Sequence, residues 1–193
     1  MKNYLQFSIF ILILAACDHS SSKKYISADN RNIALIGRFD LTDKTGPVFM
    51  YSGSVIRTVF KGTSIEVILK DDSLRNMFNV IIDDSLFVLT ANNPEGTYKL
   101  AGNLKDRKHT LEIFRRTEWH GGNTTFRGFN IDKGRKLYKP SVKERVVEFI
   151  GDSYTCGYGN EGKSREEDFR YDTENNYLSY GAVTSRALDA EYI

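Results

Sequence analysis

Between about Asn30 and Tyr138 the chain is a succession of short β-branched and aromatic runs, with no long amphipathic helical pattern between them. The runs "TSIEVILKDD", "FNVIIDDSLFVLT", "KHTLEIFRRTEW" and "TTFRGFNID" partly alternate apolar with polar residues, and each is bounded by Gly, Asn or Asp. Alternation with a period of two places one face of a strand on a core, and dense turn signals keep the strands antiparallel. This spacing predicts an antiparallel β-sandwich over residues 30–139, jelly-roll-like, with turns at "FKGTS", "IIDDS", "NNPEGT" and "HGGN". Eleven Tyr and twelve Phe suit such a sandwich and equally a carbohydrate-facing surface.

At "YKPSVKER" the pattern changes. Pro140 opens a short linker, and "VVEFI" reads as a strand apolar on both faces, as in a parallel sheet covered by helices. Gly151, Gly157 and Gly159 then crowd around Ser153, and the charged loop "EGKSREEDFRYDTEN" follows. In "ENNYLSYGAVTSRALDAEY", Tyr177, Tyr180, Val183, Ala187 and Leu188 fall at helical spacing, with Asn175 or Asn176 available as N-cap. The order strand, tight turn, loop, helix predicts that residues 140–193 open an α/β domain.

The N-terminus reads as an export signal. Met1-Lys2-Asn3 is cationic, "LQFSIFILILAA" is an apolar run of about a dozen residues, too short to span a bilayer, and "LAAC" ends at Cys17. Small residues before a cysteine resemble the lipobox of bacterial lipoproteins, in which the cysteine sulfur is lipidated. The expectation is a signal peptide over 1–16, lipidation at Cys17, a polar tether over 17–29 and a membrane-anchored lipoprotein, periplasmic or at the cell surface. An ordinary signal peptide with an incidental cysteine also implies export. Cys17 and Cys156 are the two cysteines of the sequence, too few for a disulfide framework.

With 27 Lys and Arg against 25 Asp and Glu, the chain has no basic footprint for nucleic acid. Three scattered histidines with no cysteine partner at ligand spacing offer no metal site, and nothing calls for a cofactor. Asp106 and His109 copy an acid–base spacing, but they open a strand of the sandwich. His19 falls in the tether. Trp119 and His120, beside a Gly-Gly turn, are the sandwich residues best suited to meet a sugar ring. Cys156 reads as a small apolar packing residue.

A serine at the carboxyl end of a buried strand gains an exposed hydroxyl, and the amides of the following turn are left free to face an oxyanion. "FIGDSYTCGYGN" resembles the first block of the GDSL, or SGNH, hydrolases. With "VVEFI" before it and "NNYLSYGAVTSRALDAEY" after it, the block is similar to that of carbohydrate esterase family two, which includes acetyl xylan esterases. "IGRFD", "FKGTSIEVIL", "NVIIDD", "HTLEIFRRTEW" and "FRGFNIDKG" resemble the jelly-roll domain which that family carries ahead of its three-layer α/β hydrolase domain. The resemblance implies that Ser153 is the acyl acceptor and that its own N–H is one oxyanion donor. It makes Gly151, Asp152 and Gly157 turn-shaping residues, and acetylated polysaccharide the substrate. The family's other oxyanion donors and its histidine base lie in later blocks, which residues 1–193 do not contain, so the chain reads as a fragment with an incomplete second domain, inactive by itself. A glycan-binding lipoprotein without catalysis is the alternative.

Overall fold

The computed structural model describes residues 22–193. In chain order the strands are β1 Lys23–Ser27, β2 Ile33–Ile36, β3 Val48–Phe49, β4 Val55–Gly62, β5 Ile65–Asp71, β6 Met77–Ile82, β7 Ser85–Thr90, β8 Glu95–Ala101, β9 Arg107–Arg115, β10 Thr124–Asp132, β11 Leu137–Tyr138, β12 Arg145–Val147 and β13 Ala190–Tyr192. Among the described residues two helices, α1 Ser153–Cys156 and α2 Tyr180–Ala187, fall in the last third with 3-10 turns at Tyr171–Thr173 and Asn176–Leu178, and a further 3-10 turn, Trp119–Gly121, lies between β9 and β10. One antiparallel sheet runs β1-β10-β5-β8, with β3 also on β10. The other runs β11-β4-β9-β6-β7, with β2 also on β4.

The alternation seen in the sequence decides which side chains meet between the sheets. Ile65, Val67 and Leu69 of β5 point inward against Ile56 and Phe60 of β4, Leu111 and Ile113 of β9 and Phe78 and Val80 of β6, all nearly inaccessible. β10 departs from simple alternation. Phe126 and Phe129 are both buried although three residues apart, because the register against β5 slips between Phe126 and Gly128 and leaves Arg127 as a bulge. Gly128 sits at φ 135°, and a Cβ there would lie 2.2 Å from the Ile26 carbonyl. Only glycine fits.

Three expectations are corrected. Of the tether over 17–29, Lys23–Ser27 is strand β1, paired residue for residue with β10 from Asp132 to Gly128, and Ile26 is buried. An open sheet edge supplies backbone partners that composition does not reveal. Cys17 and residues 1–16 lie outside the described residues.

The strand expected at "VVEFI" is only β12, parallel to β13, with Val146 55% and Ile150 86% exposed. Phe149 alone of its end turns inward, against Tyr192.

Helix α2 is capped by Ser179 and not by Asn175 or Asn176, which lie upstream. Its buried face is Gly181, Ala182 and Ser185, while Tyr180, Val183, Ala187 and Leu188 face outward. The reason is closeness: a Cβ on Gly181 would lie 2.9 Å from both Phe149 and Tyr192, so small residues and not the apolar stripe take the packed side.

Residues 145–193 rest on the outer face of the second sheet. Ile36, Val55 and Phe114 meet Phe149, Tyr177, Ala182 and Tyr192 in a second apolar cluster. Arg57 on the same face makes two bonds to the buried Glu191 carboxylate, 2.7 and 3.1 Å long.

Candidate active site

Ser153 is the first residue of the single-turn helix α1, six residues after the end of β12. Asp152 caps the turn, its carboxylate accepting the Tyr154 N–H at 3.0 Å. The Asp152 carbonyl accepts the N–H groups of Thr155 and Cys156 at 3.0 and 3.3 Å. Gly157 ends the turn at φ 76°, a left-handed C-cap, and a Cβ there would lie 2.7 Å from the Asn175 carbonyl. Gly151 is forced for a different reason, since a Cβ would lie 2.1 Å from Thr155 Oγ1. Thr155 Oγ1 in turn shares a hydrogen bond of 2.8 Å with Tyr180 Oη.

Ser153 and Tyr154 are therefore held at the surface by a turn whose underside, Thr155, is buried. The Ser153 N–H, in the first helical turn, has no intrahelical acceptor to satisfy. An exposed hydroxyl beside a free amide is the arrangement that nucleophilic attack with oxyanion stabilisation requires.

The sandwich reaches this turn through the segment after β9. Cys156 Sγ donates to Glu118 Oε2 at 3.4 Å, which sets the Trp119–Gly121 turn beside α1. Burial, with the Glu118 carboxylate adding to it, pushes the Cys156 thiol up to about 12. Cys156 is thus a thiol and not a nucleophile at neutral pH. The Trp119 side chain lies outside the described part of the structure, and His120 pairs with Glu118 at 3.8 Å. A cavity of about 200 Å3 lies between the turn and the sandwich, with Tyr51, Gly53, Glu148, Gly151, Thr155 and Cys156 in its wall.

Asp106 and His109 do not form a pair. His109 is buried in the sandwich, Nδ1 on Asp83 and Nε2 on the Lys105 carbonyl, both at 2.8 Å, and Asp106 pairs with Arg135. Among the described residues no cluster of His, Cys, Asp and Glu could hold a metal ion.

The structure adds residues that motif reading overlooks. Arg116, buried just after β9, donates to the carbonyls of Glu174 and Asp172 at 2.9 and 3.1 Å and pairs with Glu161. Glu174 is fully buried, accepting the Glu118 N–H at 2.9 Å through Oε1 while Oε2 has no partner among the described residues. The only textual trace is polarity: "RR" at a strand end and "ENN" before a helix look like surface, yet all five of these residues are buried.

Burial pushes the Glu174 carboxyl up to about 7; the hydrogen bond from the Glu118 N–H and the charges of Arg115 and Arg116 oppose the rise, while the Glu118 carboxylate adds to it. The folded protein therefore keeps this proton above the ordinary value of 4.5, where the unfolded chain loses it. The stability contributed by the protonated group is full below the unfolded value and is lost as pH rises through about 7. Glu174→Gln keeps the acceptor for Glu118 and removes the titration. Its melting temperature should match wild type at pH 4 and exceed it at pH 8; a difference that does not change with pH would refute the assignment.

The sequence comparisons agree with one another. The family model described as carbohydrate esterase 2 N-terminal matches residues 35–140. The chain is 42% identical over 163 residues to the cellulase/esterase CelE of Acetivibrio thermocellus, covering 84% of this chain and 20% of that protein. It is 35% identical over 137 residues to an acetylxylan esterase / glucomannan deacetylase of Cellvibrio japonicus, covering 70% of this chain and 37% of that one. Among solved structures it resembles a family two carbohydrate esterase from Clostridium thermocellum in complex with cellohexaose, with a TM-score of 0.78 and 40% identity, covering 83% of this chain and 49% of that one. A family two carbohydrate esterase from Cellvibrio japonicus gives a TM-score of 0.81 at 26% identity, covering 89% of this chain and 51% of that one. The chain thus spans about half the length of these solved relatives and a smaller share of the two curated proteins.

Proposed function

The chain belongs to carbohydrate esterase family two, and from that membership we propose that the protein is a serine-dependent esterase that removes O-acetyl groups from xylan- or mannan-type polysaccharide. The observation that carries this reading is the exposed Ser153 on a turn shaped by Asp152 and Gly157. Its hydroxyl oxygen bonds to the acetyl carbon and its proton passes to a general base. The C–O bond to the sugar breaks, and the departing sugar oxygen takes that proton. Water then attacks the acyl-serine, releasing acetate and restoring the hydroxyl. The tetrahedral oxygen is met by the Ser153 N–H.

Under this reading residues 23–139 are a jelly-roll-like sandwich, and residues 145–193 supply the first strand, nucleophile turn and first helix of the hydrolase domain. His109 is committed to Asp83 inside the sandwich. The general base and the remaining oxyanion donors come from the part of the family's hydrolase domain that lies beyond the matched half. We also propose that the protein is exported and anchored through a lipid on Cys17. A Cys17→Ser protein should lose incorporation of a tagged fatty acid, and undiminished label would refute the anchor.

The functional test is acetate release by the complete protein from acetylated xylan and acetylated glucomannan. Release from either, and none from the deacetylated polymers, supports the esterase. Retention of the polymers without acetate release would instead make the protein a glycan-binding module.

A further inference from the structure

We propose that Asn175 and Asn176 are positioning residues for Ser153, clamped in place by the sandwich through Asn79 and Arg116. The inference rests on the reading of Ser153 as nucleophile and adds that the sandwich is part of the machinery that holds it.

Two sets of hydrogen bonds meet on these adjacent residues. Toward the nucleophile turn, Asn176 Nδ2 donates to the Thr155 carbonyl inside α1 at 2.8 Å. The Asn175 N–H donates to the Gly157 carbonyl, the C-cap of α1, at 3.2 Å. Asn160, just beyond Gly157, closes a reciprocal pair with the Asn175 backbone, accepting its N–H at 3.0 Å and donating to its carbonyl at 2.9 Å.

Toward the sandwich, the Asn176 N–H donates to the Arg116 carbonyl at 3.0 Å. Asn79 Nδ2 of β6 donates to Asn175 Oδ1 at 2.9 Å. The Arg116 guanidinium holds the Glu174 carbonyl one residue upstream. The C-terminal end of α1 is thereby referred to β6 and to the residue that follows β9.

Burial makes the clasp stiff. Asn79, Arg116, Asn175 and Asn176 are each no more than 4% exposed. A buried amide that loses its partner is left unsatisfied, so these groups have few alternative arrangements. Asn176 Nδ2 also donates to Tyr192 Oη at 3.1 Å, while its Oδ1 has no partner among the described residues. A four-residue helix cannot fix its own orientation. Misplacing a nucleophile by about 1 Å costs on the order of 100-fold in rate.

The test uses the complete protein as wild type, Asn176→Ala and Asn79→Ala. Each is titrated to completion with diethyl p-nitrophenyl phosphate, and the label is located by peptide mass. Aryl acetate kinetics are then expressed per labelled site. Positioning predicts full labelling at Ser153, KM within about twofold, and kcat per site lower by about 10- to 100-fold for Asn176→Ala. The Asn79→Ala protein keeps every bond to α1 and should show a smaller fall of the same kind. A purely structural role instead removes labelled sites and leaves kcat per remaining site unchanged. That result, or unchanged kcat in both variants, overturns the inference while the serine reading stands. Absence of label on wild-type Ser153 overturns both.

Discussion

Replacing Ser153 with alanine in the complete protein should lower kcat for acetyl-ester hydrolysis by about 10^4- to 10^6-fold, which is about 5–8 kcal/mol of lost transition-state stabilisation. The expectation follows from the covalent step, because alanine has no oxygen to accept the acyl group, so only binding and oxyanion contacts remain. Folding should be spared. Ser153 is exposed, Asp152 still caps the turn through Tyr154, and Gly157 still closes it. Surface changes of this kind alter stability by no more than about 0.5 kcal/mol. Activity within about tenfold of wild type, at an unchanged melting temperature, would reduce Ser153 to a turn residue.

The largest effect on stability is expected at Arg115→Leu. Arg115 is fully buried at the end of β9, and every arm of its guanidinium is used. Nε donates to the Thr117 carbonyl at 2.9 Å, and Nη1 to the Phe49 carbonyl at 2.9 Å and Thr124 Oγ1 at 3.1 Å. Nη2 donates to Asn76 Oδ1 at 2.7 Å and to the Gly122 carbonyl at 2.9 Å. Burial lowers the guanidinium to about 10, with Asp71 and Glu174 opposing, so it stays charged at neutral pH. Leucine has an apolar volume suited to the site, yet it leaves these acceptors dry and the buried Asp71 without its cation.

Breaking a buried charge network from one side costs about 3–5 kcal/mol. For a domain of this size that lowers the melting temperature by roughly 6–20 °C. Lysine should not rescue, because one ammonium cannot reproduce the fork. A melting temperature within about 2 °C of wild type would show that the network is relaxed by water or by rearrangement of the loop around Asn76 and Gly122.

The two arginines show where sequence is a good guide to this fold and where it is not. β5, β6 and β9 are legible because their core-facing residues recur at every second position, and the turn at Asp83 and Asp84 is marked by residues that tolerate its geometry, Asp83 at φ 52°. The turn around Ser153 is legible from its glycines, Gly157 being required by its positive φ and the nearby Asn175 carbonyl and Gly151 by the Thr155 side chain. Features set by distant partners are not legible. β1 exists because β10 offers an edge, and the bulge at Arg127 exists because Phe126 and Phe129 must share one core.

Arg115, Arg116, Asn175 and Asn176 look like solvated polar residues until β6, β9 and α1 bring their partners together. The apolar stripe of α2 misleads for a related reason. Gly181 and Ala182 are buried because Phe149 and Tyr192 come so close, and periodicity of large residues carries no record of that.

Trapping the intermediate shows whether Ser153 carries the acetyl group during turnover. The complete protein is mixed with an isotopically labelled aryl acetate, quenched in acid within milliseconds and digested, and the labelled peptide is identified by mass. The expected result is one acetyl group on the peptide containing Ser153, chased from it by water on longer incubation, and none on the Ser153→Ala protein. Acetyl label on another residue, or acetate release by the Ser153→Ala protein at the wild-type rate, would contradict it.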